Sequence, residues 1–273
     1  MGRQIALNPI VGLLAWLAIA YVAIWTGPIF LPIAGSNVSL AALLWKLVGA
    51  SLILVLNLAF LRRNPGGDPL GLRPGARTLG LLILGALVGG VVVGLWLAAF
   101  RLLVSFQLAP STITKSQLFT SACIYLAGAL LEELAFRGHA LIRLREYYGT
   151  IIAVLLVSLA FGALHLPGMF GGNAIKIVVL TGCSSLLFCL AYLFSGSLWA
   201  AVGLHAGMNF ALHSLLGAGG GKGPSLLTPV YKAAAPAGND AAFWCFVVVQ
   251  LACATGFLLA RKRLPSIGRE RTR

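Results

Sequence analysis

The chain has 273 residues, of which 59% are hydrophobic and only 10% charged. With its 33 glycines the apolar share reaches about 71%, against roughly 45–50% in a soluble domain. That composition excludes a soluble globular domain, a disordered chain and a collagen-like repeat, and leaves a polytopic membrane protein. The formal net charge is +14, from 20 Lys and Arg against six acids. In a soluble protein such a balance would point to nucleic acid. Here the basic residues gather at the ends of apolar runs, where they meet anionic headgroups and set topology, so no nucleic-acid partner is expected.

Taken in order, the apolar runs are 8–31, 39–61, 78–104, 116–142, 150–167, 174–194, 197–216 and 241–260. A helix crossing the bilayer needs about 20 apolar residues, so these predict an all-α protein of about eight transmembrane helices. Alternating ten-residue strands, as a barrel requires, are not evident. The whole of 1–273 is read as one integral membrane domain. The first run is expected to be a retained span, because it continues past any small-residue cleavage site. In the second run, Lys46 is expected to snorkel toward the headgroups. The third run carries Gly85 and Gly89, then Gly90 and Gly94, small residues spaced for close helix packing within the chain. The stretch 217–240, rich in Gly, Ala and Pro, is predicted to be the one long loop. Cys123, Cys183, Cys189, Cys245 and Cys253 all fall in apolar runs without C-x-x-C spacing, and read as packing residues. Counting Lys and Arg puts 14 of 20 on the side of the amino terminus and five opposite. Both termini are therefore expected in the cytoplasm, with the chain in a prokaryotic inner membrane.

Against this background, ionisable groups inside the runs are informative, since each costs at least about 2.5–3.5 kcal/mol at the bilayer centre. The fourth run holds Glu132 and Glu133, with Arg137 four residues after Glu133 and so on its face. Glu132 points about 100° away. The fifth run supplies Phe161 and His165; the seventh supplies His205 and Asn209, again four apart. If the chain turns near Tyr148 and Gly149 and both arms are straight helix, Glu132 and His165 each lie about 24 Å from the turn, level with one another. His139 and His213 read instead as core histidines near the interface, and Tyr147, Tyr148 and Trp199 as interface anchors.

A carboxylate and an imidazole in a low-dielectric cavity can deprotonate a water. A second imidazole and a carboxamide on one helix face can donate to a developing oxyanion. That set suits amide hydrolysis. Glu132, His165 and His205 could equally hold a zinc ion with an open position, although the spacing is not H-E-x-x-H; the residues leave metal and metal-free chemistry open.

The ordered set Glu132-Glu133-x-x-x-Arg137, Phe161-x-x-x-His165 and His205-x-x-x-Asn209 resembles the three signatures of the CAAX-protease and bacteriocin-processing family. These are intramembrane endopeptidases related to the type II CAAX prenyl protease. The resemblance covers about 116–216, which would be the catalytic core. It implies that Glu132 and His165 activate water and that His205 and Asn209 form the oxyanion site. Glu133 and Arg137 would brace the cavity and contact the substrate, with Phe161 packed beneath. The family has been described both as metalloproteases and as metal-free glutamate proteases; the metal-free form is expected here. The implied partner is a protein or peptide substrate, membrane-anchored or lipidated, within the lipid bilayer. Two other functions suit the same residues: a non-catalytic immunity or scaffold protein on this fold, and a proton-coupled transporter.

Overall fold

The structure, a computed structural model, describes residues 9–26, 38–61, 68, 70–166, 173–218, 224–231 and 236–261. Its helices are α1 (Pro9–Trp25), α2 (Val38–Leu61), α3 (Ala76–Leu103), α4 (Lys115–Ala135), α5 (Leu141–Leu164), α6 (Ala174–Ser195), α7 (Leu198–Asn209) and α8 (Pro236–Arg261). A π-helical segment, Phe136–Ala140, joins α4 to α5, and a second, Phe210–Leu215, extends α7.

Polarity is distributed as lipid requires. Leu84, Leu87, Val91 and Leu95 of α3 and Leu52 and Val55 of α2 face outward, whereas Asn57, Glu133, Arg137, Ser185 and Gln250 are wholly buried. A water-soluble fold does the reverse with its charges. Among the described residues, five stretches are long and apolar enough to cross a membrane: 39–60, 76–103, 115–164, 174–195 and 240–260. The helix at 11–25 is apolar but shorter. The protein is therefore a mostly helical, polytopic membrane protein.

The stretch 115–164 is one run only by its hydrogen bonding. Backbone angles leave the helical range at Gly138 (φ −72, ψ −125) and at Gly149 (φ 77, ψ 171). Gly149 adopts a positive φ that a Cβ would disfavour, and the chain reverses there. Glu132 and His165 stand 33 residues apart and would be about 50 Å apart along a straight helix. Their side chains instead meet at 3.7 Å. The expected return at 148–149 is thus present, but the straight fourth arm is not: it is broken again at Gly138. The fourth run was expected to be helical through 142, and α4 ends at Ala135.

Local chemistry explains several boundaries. Thr114 and Gln117 form a reciprocal capping box at the start of α4. The Asn173 carboxamide oxygen accepts from the Ile175 and Lys176 amides to start α6, which Gly196 ends in the left-handed region.

The glycines of α3 and α7 bring these helices into backbone contact. A Cβ on Gly85 or Gly89 would meet α7 backbone atoms at 2.5 and 2.4 Å; one on Gly203 or Gly207 would meet Leu82 O and Ala86 O at 2.1 and 2.2 Å. Gly90 and Gly94 have nothing within 4 Å. Helices α2 and α4 run side by side, with Gly49 against Leu131, and Asn57 of α2 lies against Gly138 in the π-helical segment that follows α4.

The 217–240 stretch is not wholly a loop. Strand β1 (Phe106–Pro110) pairs antiparallel with β2 (Leu227–Tyr231), from Phe106 opposite Tyr231 to Pro110 opposite Leu227, and α8 begins at Pro236. Residues 219–223 and 232–235 of that stretch lie outside the described residues, as do the termini and Arg3, Arg62 and Arg63. All five cysteines are free.

Candidate active site

Glu133 anchors the site from inside the bundle. Both it and Arg137 are 0% exposed. Arg137 Nε lies 3.2 Å from Glu133 Oε2, a charge contact rather than an in-line hydrogen bond. The Arg137 guanidinium also donates to Ser185 O at 2.9 Å and Ser185 Oγ at 2.7 Å. It sits over the rings of Phe161 and Phe188, 4.9 and 5.4 Å from their centroids. Both side chains are completely buried, and the contacts they make are with protein groups. Arg137 is not one of the charges that set topology.

The second Glu133 oxygen, Oε1, accepts from His205 Nδ1 at 2.9 Å. The His205 ring stacks on Phe188, centroids 4.4 Å apart. This turns Nε2 outward, 3.9 Å from Glu132 Oε2. The opposite wall is His165, at the end of α5. Its Nδ1 stands 2.7 Å from Phe161 O, and because a carbonyl only accepts, Nδ1 carries the proton. Nε2 is thereby left to face Glu132 Oε2 at 3.7 Å. Phe161 packs at the centre, against Phe136, His165, Phe188 and His205. Glu132 and His165 are the exposed members, at 13% and 30% of their side chains. Glu132 Oε2 is buried without a hydrogen-bond partner.

Asn209 closes α7 one turn after His205, half-buried, with no side-chain hydrogen bond among the described residues. Glu132, His165 and His205 therefore converge from three helices, and Asn209 follows on the His205 helix. Among the described residues, no group of three His, Cys, Asp or Glu is arranged to hold a metal ion.

Several supporting residues had no distinguishing sequence signal. Asn57 of α2 donates to Leu134 O at 3.0 Å and accepts from the His139 amide at 2.6 Å, taking up groups freed where the helix breaks at Gly138. A Cβ on Gly138 would fall 2.2 Å from Asn57 Oδ1. Trp16 donates to Ala135 O at 2.6 Å. The His139 ring packs against both Trp16 and Phe60, and its buried Nδ1 has no hydrogen-bond partner. His213 stacks on Tyr125 and lines a cavity of about 570 Å³. Lys46 does not snorkel: its ammonium lies across α4 at Gly128, 2.7 Å from where a Cβ there would be.

Compared with known proteins, no curated protein matches the chain. Residues 114–211 match the family model described as type II CAAX prenyl endopeptidase, Rce1-like. That segment starts at the capping box of α4, ends just beyond Asn209 and contains every candidate site residue. Residues 114–211 of this chain are a domain of the Rce1-like type II CAAX prenyl endopeptidase family.

Proposed function

We propose that the protein is an intramembrane endopeptidase that hydrolyses a peptide bond near the terminus or membrane anchor of a protein substrate. One observation carries this: the unpartnered Oε2 of Glu132 sits 3.7 Å from His165 Nε2 and 3.9 Å from His205 Nε2. Such separations are too long for direct hydrogen bonds and suit groups that share one water.

In the proposed reaction Glu132 takes a proton from that water while His165, its Nδ1–H fixed on Phe161 O, orients it through Nε2. The oxygen attacks the scissile carbonyl. His205 acts as an imidazolium, its Nδ1–H held by the Glu133 carboxylate, and donates Nε2–H to the developing oxyanion. Asn209, on the same helix face, adds its amide. Glu132 then returns its proton to the leaving amine, and the C–N bond breaks. Glu133 and Arg137 fix His205 rather than touch the peptide. No step in this reading passes through zinc, and cleavage is expected to survive chelators.

The reversal at Gly149 supports counting the arms on either side of it as separate crossings, which gives eight spans with both ends in the cytoplasm. The family match, which implies protein or peptide substrates, supports a membrane-anchored or lipidated client.

The test is terminal-peptide profiling of membranes from cells carrying the native protein, Glu132→Gln or His165→Ala. Cleaved termini that vanish with both variants are expected. Termini unchanged by both would overturn the proposal in favour of an immunity or scaffold role.

A further inference from the structure

Helices α3 and α8 run antiparallel and are fastened to one another near the start of α8. There the Trp96 indole donates to Ala242 O at 2.9 Å and its ring packs on Phe246, centroids 5.3 Å apart. Leu81 stands 15 residues before Trp96 on α3, and Phe257 stands 15 residues after Ala242 on α8, so the two are level. At that level the helices are parted by a cleft of about 210 Å³, which Leu81 and Phe257 line from its two sides. Its floor comes from α6 and α7, where the lining residues Ala191 and Ala200 are small. Phe257 is held on the α6 side, its ring 6.0 Å from that of Phe194. Leu84, 57% exposed, is part of the lining, so the cleft opens through the lipid-facing wall. From Leu81 to Val88 it runs about 10 Å along α3.

One end of this apolar slot is basic. Ser195 is the only polar residue in the lining, and its carbonyl accepts from Arg77 Nη2 at 3.0 Å. Arg77 is exposed and lies one turn before Leu81. Arg73, four residues earlier, is exposed as well, and α8 ends at Arg261, one turn beyond Phe257. Asp68, the acid nearest in sequence, has one carboxylate oxygen on the Leu72 amide and the other on the Arg73 amide. A hydrocarbon slot with a guanidinium fastened to its rim complements a molecule with an apolar chain and an anionic head. A lipid-facing surface without such a rim would meet any headgroup equally.

We propose that this cleft binds an anionic phospholipid, with one acyl chain between α3 and α8 and the phosphate at Arg77. Leu204, which precedes His205, is part of the lining, so an occupied cleft backs the helix that carries that imidazole. The proposal concerns binding and does not depend on the hydrolytic role proposed above.

Native mass spectrometry of the full chain, released from detergent micelles, measures the affinity of the first lipid retained. The probes are dioleoylphosphatidylglycerol and dioleoylphosphatidylcholine, which share their chains and differ in charge. Phosphatidylglycerol is expected to bind at least about fivefold more tightly, the scale of one basic residue beside an anionic headgroup. Arg77→Met removes that preference and Arg77→Lys keeps most of it. Arg143→Met, which removes an exposed charge expected on the same side of the membrane, leaves it unchanged. Leu84→Trp, which fills the cleft from its exposed wall, weakens phosphatidylglycerol without altering a charge; should that variant fail to fold, the Arg77 series decides alone. Equal affinity for the two lipids, retention of neither, a preference that survives Arg77→Met, or one that Arg143→Met removes equally would overturn the proposal. So would unchanged binding in a folded Leu84→Trp protein, which places the lipid elsewhere. Displacement of phosphatidylglycerol by farnesol at lower concentration than by oleic acid would reassign the cleft to a prenyl chain and overturn it too.

Discussion

At the scale of residues, the site is an acid pair divided between two environments. Glu132 and Glu133 are adjacent, but helical geometry sends them about 100° apart. Glu133 points into the protein and is neutralised by Arg137 and His205; Glu132 points to the partly exposed side with its Oε2 unpartnered. The Glu133–Arg137 pair should behave as a buried ion pair does. Removing one partner strands the other, at a cost of roughly 3–5 kcal/mol, whereas replacing both by apolar residues recovers much of that loss. Thermal unfolding in detergent of Glu133→Met, Arg137→Met and the double variant is expected to leave the double more stable than either single. Equal or additive losses would contradict the ion-pair assignment. These charged residues were legible because each is expensive in lipid. Ser185, Phe188 and Asn57 were not, since Ser, Phe and Asn occur in membrane helices for many reasons. Lys46 was visible as a charge, but the space over Gly128 that receives it belongs to another helix.

At the scale of elements, His205 is placed by how closely α7 lies on α3. The Gly203 and Gly207 positions have no room for a methyl group, since its carbon would fall 2.1–2.2 Å from Leu82 O and Ala86 O. Gly207→Ala is expected to push the helices apart, destabilise by about 1–3 kcal/mol and lower cleavage with it. Gly90→Ala, with nothing within 4 Å, is the matched control and should change neither. Cleavage assays and melting curves on the pair check this. The small-residue spacing of α3 was readable in the sequence; which of its two glycine pairs packs inward depends on α7. The breaks at Gly138 and Gly149 show the same limit. A turn near 149 follows from the length of the apolar run, but the break at Gly138 depends on Asn57 being there to take the freed backbone groups.

At the scale of the whole molecule, the apolar surface and polar interior follow from composition, and the helical class with them. Strand β2 inside the Gly- and Pro-rich stretch does not, because its partner β1 lies more than a hundred residues earlier and neither strand is stable alone. With Arg137 buried, the basic excess on the side of the amino terminus is smaller by one, and the orientation expected from it is unchanged. Single cysteines at Glu146 and at Lys115, in a background without the native five, should be labelled from opposite faces, Glu146 from the cytoplasm. Labelling of both from one face would contradict eight crossings.

The most direct measurement is cleavage of one defined membrane-anchored peptide by the purified protein, comparing the native chain with Glu132→Gln in the presence and absence of a strong chelator. The expected result is a fall in kcat of roughly 10²–10⁴-fold for Glu132→Gln, with the native rate unaffected by the chelator. A Glu132→Gln protein that cleaves at the native rate would contradict the central role of that carboxylate, and a native rate abolished by chelation would contradict its acting without metal.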